Sequence, residues 1–297
     1  MEKQEKEKKF DANKPYRDVT AKIIIKLSQG RIPWRERWCS PLKGKMNFVS
    51  RKNYGGVNMM LLEHEGEYLT FKQCSDNGGK VRKGEHSTTI YTRYPRFRNE
   101  EDRKEYQRLL KEGKSVDNIP VWWALGSCQV FHLSQTEGIE SRIKTPGHRK
   151  AGKPVDIADY LIENYSRKYG VTISQKPVNA CATDDARRTI TVPEKKQFPT
   201  EEQWYNLVFR EMARTASRQK RNGEEKDRKS EVQSELENEI AASMVITGCG
   251  LAIDETRQDT LAECSRWIDE FNRDFRLIVR ASSEAQSIAE KILEPIM

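Results

Sequence analysis

Apolar positions recur every three or four residues over much of the second half of the chain, and this spacing predicts helices. The clearest case follows Pro199, where Thr200 can cap a helix whose first turn carries two acidic residues. Trp204, Val208 and Met212 then recur at intervals of four and predict one buried face. Further helices are predicted over residues 156–169, 230–247, 257–277 and 281–294.

The first half alternates between helical and strand-like patterns. Apolar positions between Tyr16 and Gln29 predict an amphipathic helix that ends at Gly30. Residues 121–133 read as a long strand, and the charged segment 95–119 before it reads as a helical insertion. The whole pattern predicts an α+β protein, with a mixed α/β N-terminal domain followed by a mainly helical domain.

A length of 297 residues is sufficient for two domains. A stretch rich in glycine, proline and basic residues predicts the boundary between them. The predicted division is a charged tail over 1–14, a first domain over 15–146, a linker over 147–155 and a second domain over 156–297.

Positive charge is concentrated in the first domain. Residues 15–146 contain 24 Lys and Arg against 15 Asp and Glu, whereas residues 147–297 contain 24 against 26. A surplus of this kind attracts polyanions, so the first domain is the expected site of nucleic-acid binding.

The composition also excludes several classes of protein. The sequence has no apolar run of about 18 residues and no secretory signal pattern, so we expect a cytoplasmic protein without membrane association. Its six cysteines form no C-x-x-C pair, which favours reduced thiols over a zinc knuckle or a redox pair. No cofactor is predicted.

The helix after Pro199 carries the motif Arg-Glu-x-x-Arg, formed by Arg210, Glu211 and Arg214. Its spacing is that of the His-Glu-x-x-His zinc-protease helix with both histidines replaced. A guanidinium group is always charged and offers no lone pair to a metal, so no helical His/His/Glu zinc site is predicted here. On the motif alone, a solvated helix face remains the alternative.

Several short motifs, in order along the chain, carry a resemblance to a known family. They are Tyr16-x-x-x-Thr20, Gly30-x-x-Pro33-Trp34, Tyr54-Gly-Gly-Val-Asn58, Thr70-Phe-Lys-Gln73, Gly79-x-Val-Arg-Lys-Gly-Glu85 and Val130-Phe-His-Leu-Ser-Gln-Thr-Glu-Gly138. With these motifs the first half resembles the N-terminal single-stranded-DNA-binding domain of ArdC-type antirestriction proteins, which occur on plasmids and other mobile elements. The second half is similar to the zincin-like metallopeptidase domain that follows in that family.

The resemblance places Arg210 and Arg214 where the family has its zinc-ligating histidines, and it keeps Glu211 at the general-base position. The family's acidic helix matches the segment containing Glu235 and Glu239, which share a helix face. We expect the two arginines to pair with the three glutamates and close the former cleft. The alternative is a set of exposed, loosely paired charges, each contributing less than about 1 kcal/mol.

For the first domain we expect aromatic faces that stack on bases and cations that follow phosphates, each stacked base contributing about 1–3 kcal/mol. The alternative is that the aromatic residues belong to the core and the basic residues to an ordinary surface. Trp122 and Trp123 are adjacent in a strand, so at least one of them is expected in the core. The candidate DNA-binding residues are Trp34, Trp38, Arg51, Lys52, Tyr54, Asn58, Lys72, Arg82 and Lys83.

These expectations combine into a DNA-binding protein of a mobile element, with an antirestriction role and a protease-like second domain that has lost its catalysis. The expected partner is single-stranded DNA, with double-stranded DNA as a second candidate. Two alternatives remain open. One is a hydrolase that uses Glu211 without the usual zinc ligands. The other is a scaffold that holds a protein partner in the degenerate cleft.

Overall fold

The computed structural model describes residues 11–143, 153–184, 186–221, 230–252 and 257–297. Most of the predicted tail and most of the predicted linker lie outside these ranges, so the division at 147–155 stays a prediction. The architecture is mixed α/β in the first half and mainly helical in the second, as the sequence pattern predicts.

The first half places short helices around a four-stranded sheet. The strand order is β1-β2-β5-β4, with β1 parallel to β2 and the other neighbours antiparallel. The pair β3–β6 forms a separate two-stranded ribbon. The elements are α1 (Lys14–Ser28), β1 (Lys45–Asn47), α2 (Asn58–Leu61), β2 (Gly66–Leu69), α3 (Phe71–Asp76), β3 (Lys80–Val81), β4 (Thr88–Phe97), α4 (Glu100–Lys111), β5 (Val121–His132) and β6 (Thr136–Glu137).

The second half packs five helices against a small sheet. Its strand order is β7-β9-β8, with β7 parallel to β9 and β8 antiparallel at the edge. The elements are α5 (Pro154–Tyr169), β7 (Thr172–Lys176), β8 (Ala182–Asp184), β9 (Thr189–Pro193), α6 (Glu201–Arg221), α7 (Glu231–Cys249), α8 (Arg257–Arg273) and α9 (Leu277–Leu293).

Two helix ends follow from local sequence as predicted. Helix α1 ends where Gly30 adopts a left-handed φ of +71°, and its backbone N–H donates to the Leu27 carbonyl at 2.8 Å. At the start of α6, the Gln203 N–H donates to the Thr200 hydroxyl at 3.4 Å. The predicted buried face of α6 is confirmed, because Trp204, Val208 and Met212 are all buried.

Helix α7 is enclosed on all sides. Every residue from Glu239 to Thr247 is buried, so the apolar surface is continuous around the helix rather than confined to one stripe. Helices α6 and α9 supply its main packing surfaces. The predicted acidic residue Glu239 therefore lies inside the protein.

The two halves of the sequence share one hydrophobic core. Val19 and Ile23 of α1 belong to the same buried cluster as the helices of the second half. The Trp34 ring meets the Trp267 ring of α8 edge to face, with centroids 6.2 Å apart. The Thr20 hydroxyl donates to the Phe275 carbonyl at 2.7 Å. The predicted first and second domains therefore follow the order of the motifs along the chain, but residues of both contribute to the largest hydrophobic core.

Strands β4 and β5 extend beyond the sheet as a two-stranded hairpin, with α4 between them. Only the end of β5 reaches β2, through Leu69↔Phe131 and Tyr68↔His132. We call residues 92–97 and 121–126 the hairpin arm. Trp122 and Trp123, both in the arm, are 51% and 56% exposed. The expectation that at least one is core is therefore wrong, because no described residue forms a further layer over this part of the hairpin.

No helix in the described part of the chain combines the length and apolar character needed to cross a bilayer. All six cysteines are free thiols.

Candidate functional site

The degenerate zinc motif lies on α6 next to the edge strand β8. The Arg214 guanidinium donates to both oxygens of Glu211, with Nη2–Oε1 at 2.5 Å and Nε–Oε2 at 3.1 Å. From β8, the Thr183 hydroxyl donates to Glu211 Oε2 at 2.9 Å. The carboxylate at the general-base position is therefore held by its own helix and by the neighbouring strand.

The two acidic residues of α7 have partners from other elements. Glu235 forms a bidentate pair with Arg266 of α8, with Nη1–Oε1 at 2.7 Å. This hydrogen bond lowers the pKa of Glu235, although partial burial opposes it. Glu239 accepts from the Trp34 indole N–H at 2.6 Å and lies 3.4 Å from the Arg35 guanidinium. Both of those partners come from the first half of the sequence.

The buried Glu239 and the partly buried Glu263 form a pair of carboxyl groups. Burial raises the pKa of Glu239, and the hydrogen bond and charge of Glu263 raise it further. Burial alone would raise the pKa of Glu263, but the hydrogen bond to Glu239 and the charge of Arg35 lower it overall. Arg35 Nη2 lies 2.6 Å from Glu263 Oε2. The pair thus keeps one proton on Glu239 and one negative charge on Glu263, which Arg35 balances.

The glutamates of the expected salt-bridge cluster are paired with arginines, but those of α7 are not paired with the predicted ones. Among the described residues, Arg210 and Arg214 form no direct ion pair with Glu235 or Glu239. Arg210 acts on both carboxyl groups only through its charge. The predicted pairing is confirmed for Arg214 with Glu211. It is wrong for Glu235 and Glu239, because Arg266 and Arg35 occupy these carboxyl groups, and nothing in the sequence indicates that α8 and the loop after α1 converge here.

The residues at this position do not fit a zinc ion. The two ligand positions hold cations, and both oxygens of Glu211 are bound by Arg214. Within the described ranges, no three His, Cys, Asp or Glu side chains are placed to hold a metal ion. No hydrolytic step through a metal follows from this arrangement.

Two of the predicted DNA-binding residues are buried in structural roles, and the prediction is wrong for them. Trp34 is fully buried beneath α8, where it donates to Glu239. The Asn58 side chain bridges to the backbone of Tyr91 in β4, donating at 2.7 Å and accepting at 2.8 Å. These contacts anchor α2 to the sheet and leave neither side chain available to a base or phosphate.

The glycine pair before Asn58 also has a structural role. The Gly56 N–H donates to the Gln286 amide oxygen of α9 at 2.6 Å. A Cβ at Gly55 would lie 2.4 Å from the same oxygen, so this motif allows the loop to lie directly on α9.

The other two predicted aromatic residues are half-buried. The Tyr54 ring meets Tyr68 edge to face at 6.0 Å, and its hydroxyl accepts from the Asn47 amide at 3.2 Å. The Trp38 ring lies 5.9 Å from the Lys26 ammonium. Part of each ring remains accessible, so DNA binding by these two residues stays a prediction.

The predicted basic residues lie at the surface. Lys52, Lys72 and Lys83 are exposed, whereas Arg51 pairs with the buried Glu67. Arg82 is half-exposed and contacts Glu85 and the Ser134 carbonyl. Their role as phosphate contacts stays a prediction.

Arg82 borders a groove of about 660 Å³ that the sequence did not indicate. Lys22 and Lys26 of α1 lie on its wall four residues apart, which puts them on one face of the helix. This spacing is a signal that sequence inspection could have used. The groove is also lined by Arg31, His64 and His132, and its acidic lining residues are Glu63 and Glu85.

His132 is held in a defined orientation in this groove. Its Nε2–H donates to the Glu65 carbonyl at 2.9 Å, and its Nδ1 accepts from the Ser134 N–H at 3.2 Å. Burial lowers the pKa of His132, which keeps the ring neutral near pH 7. The positive charge of the groove therefore comes from its lysines and arginines.

Two family profiles match this chain in the order expected from its motifs. Residues 13–131 match the N-terminal domain of anti-restriction factor ArdC. Residues 161–284 match a zincin-like metallopeptidase domain.

The curated relatives include two proteins of Escherichia coli, both named DNA primase TraC. Both are 26% identical to this chain, over 314 and 306 aligned positions that cover 97% and 95% of it. The alignments cover only 20% and 27% of the relatives, so the chain spans about a fifth to a quarter of their length.

Two crystal structures of the antirestriction ArdC protein from the R388 plasmid share this fold, with TM-scores of 0.65 at 23% identity. The metal-free structure covers 94% of this chain and 96% of its own, and the Mn(II)-bound structure covers 96% and 98%. The likeness extends over both halves of the chain.

Proposed function

Because this chain belongs to the ArdC-type family of antirestriction proteins, we propose that it is a single-stranded-DNA-binding protein of a mobile genetic element. In this proposal it protects incoming DNA from restriction in the cytoplasm. Its zincin-like domain supports the first half and does not cleave peptides. The relatives named as a DNA primase and as a plasmid antirestriction protein agree with DNA as the partner.

The observation that carries DNA binding is the basic groove. Four cations, Lys22, Lys26, Arg31 and Arg82, line it. The last three form ion pairs with Glu63, Glu36 and Glu85, which phosphates would have to replace. Cations that neutralise phosphates release the counterions condensed on the DNA, which favours binding and makes it depend on salt. The surplus positive charge of residues 15–146 extends this attraction beyond the groove.

The proposal that the second domain is not a peptidase depends on the chemistry of α6. A zinc peptidase needs imidazole ligands and a free carboxylate that can accept a proton from water. Here the ligand positions hold Arg210 and Arg214, and Arg214 occupies both oxygens of Glu211. In this arrangement the Glu211 carboxylate is held by Arg214 and Thr183 instead of facing a water molecule that it could deprotonate.

The test is a binding titration with single- and double-stranded oligonucleotides of equal length at about 50 and 200 mM salt. A variant with Lys22, Lys26 and Arg82 all changed to Gln should bind single strands more weakly. Each lost phosphate contact should flatten the slope of log affinity against log salt by about 0.7. The matched control changes Lys168, Lys176 and Lys196, which are exposed in the second half, to Gln.

The expected result is a loss in the groove variant and none in the control, with intact melting curves for both. Equal losses in both variants would mean that only net charge matters. Unchanged affinity in the groove variant would reject the groove as the binding surface.

A further inference from the structure

The hairpin arm exposes more aromatic surface than folding requires. Trp122 and Trp123 are each more than half exposed, although burying an aromatic side chain is strongly favourable. Large apolar groups clustered at a surface commonly mark an interaction site. Strand register places the two tryptophans on opposite faces of the arm.

One face of the arm carries Trp122, Tyr94 and Arg96. Arg96 lies directly opposite Trp122, and Tyr94 lies opposite Ala124, one step along the same face. The Tyr94 ring packs on Gly126, where a Cβ would be only 2.6 Å from ring carbon Cε1. Glycine at this position therefore lets the ring lie on the strand, and the small residues beside it leave open space next to Trp122.

The opposite face of the arm is used in packing. Phe97 contacts Tyr106 of α4, with ring centroids 5.0 Å apart. At the other end, Tyr91 and Leu125 are buried in the main core. Trp123 lies between these two anchored points, opposite Pro95. Trp123 is itself 56% exposed, so register separates the two rings by face and not by burial, and Trp122 is the ring that shares its face with Tyr94 and Arg96.

The strands of the arm are basic, whereas the first turn of α4 is acidic. The segment from His86 to Arg98 contains three arginines and no acidic residue, and residues 118–136 contain no Asp, Glu, Lys or Arg. Arginines beside exposed aromatic rings are the combination that contacts a nucleic-acid strand, since bases stack on the rings while cations contact phosphates. In a duplex the base faces are already stacked on each other, so this surface fits a single strand.

We propose that the face formed by Trp122, Tyr94 and Arg96 is a base-stacking site for single-stranded DNA, distinct from the basic groove beside α1. This inference rests on the proposed function, because it assigns a second contact surface to the same partner. In this arrangement Trp122 stacks on a base and Arg96 contacts the adjacent phosphate.

The test compares single variants of the full chain for binding to a short oligothymidine strand. Trp122→Ala should weaken binding about 5- to 150-fold, the range that corresponds to one stacked base. Trp122→Phe should retain most of the affinity, because an aromatic face remains. Arg96→Gln should flatten the salt slope by about 0.7. Trp123→Ala serves as the control on the same arm, and Tyr160→Ala serves as an exposed aromatic control in the second half.

An abasic strand with the same number of phosphates separates stacking from folding. The native chain and Trp122→Ala should bind this strand equally, because it offers no base to stack. A variant that is merely misfolded would lose affinity for both strands.

The outcomes separate this inference from the proposed function. If the native chain binds no single-stranded DNA, the proposed function itself fails. If the native chain binds but Trp122→Ala binds equally well, the stacking site is rejected. A loss confined to Trp123→Ala would also overturn the proposal, since it would place the contact on the opposite face.

Discussion

Glu239 is a carboxyl group in the core of the protein, next to a second carboxyl group. Burial and Glu263 raise the pKa of Glu239 to about 8, above the ordinary glutamate value of 4.5. The folded chain therefore holds a proton at this position that the unfolded chain releases between these values. The stability that Glu239 contributes is present below pH 4.5 and is lost as the pH rises through about 8.

Replacing Glu239 with Gln should remove this dependence, because Gln keeps a similar shape and carries no titrating proton. The melting temperature of Glu239→Gln relative to the native chain should rise as the pH increases from 5 to 9. Other groups, such as Lys45, whose pKa burial lowers to about 8, titrate in both proteins and cancel in the difference.

Glu235→Gln is the matched control, because the pKa of Glu235 is lowered. Its contribution is present above the ordinary pKa and is lost as the pH falls, so this variant should be destabilised at pH 7 and less so at pH 4. Thermal melts followed by circular dichroism measure the stability of both variants at each pH. If the difference in melting temperature between Glu239→Gln and the native chain stays constant with pH, Glu239 does not hold a proton in the folded chain.

Sequence patterns predicted which helix face these glutamates share, but they did not predict which residues contact them. The spacing of Glu235 and Glu239 placed them on one helix face, but the arginines that reach them lie 31 and 204 residues away in the chain. Trp34 and Trp122 show the same limit. The first is in the core and the second is exposed, and local sequence does not decide which elements will cover a given aromatic side chain.

At the scale of elements, α6 is the segment that the sequence predicted most completely. Its cap and its buried face depend on interactions within about four residues, which local sequence records. The bounds of strand β5 were predicted to within one residue, but its surroundings were not. Its pattern indicated a strand, but the hairpin arm lies beyond the sheet because of packing that the pattern does not contain.

Helix α6 also allows a test by restoration. The native chain should contain no stoichiometric zinc, because Arg210 and Arg214 repel a dication. Changing both arginines to His places two imidazoles one helical turn apart and releases Glu211 from its ion pair. Zinc content after dialysis should then rise to about one ion per chain, with a glutamate of α7 as the third ligand.

The control for this test changes both arginines to Gln, which removes the charge without adding ligands. Zinc in this control would mean that loss of repulsion is sufficient. One zinc ion per native chain would contradict the interpretation of the motif.

At the scale of the whole molecule, the shared core predicts a single unfolding event. Arg35 comes from the first half and balances the carboxyl pair of α7 and α8. Arg35→Ala should leave that charge buried without its partner and lower the free energy of unfolding by about 3–5 kcal/mol. The exposed neighbour Arg37 is the matched control, and Arg37→Ala should change it by less than about 0.5 kcal/mol.

Denaturant unfolding followed by two signals measures this effect. Circular dichroism reports mainly the helices of the second half, and a fluorophore on the hairpin arm reports the first half. In Arg35→Ala the unfolding transitions seen by the two signals should shift together to a lower denaturant concentration. Separate transitions in the two signals would show that the halves are independent.

The hydrogen bond between the Trp34 indole and Glu239 has a consequence for genetic exchange. Mobile elements recombine, and a crossover near residue 150 would join the first half of one relative to the second half of another. Such a hybrid would fold well only if both parents agree at these two positions, since a mismatch would leave a buried carboxyl without its donor. We therefore expect the two halves to be inherited together, and hybrids of distant relatives to be rare among functional genes.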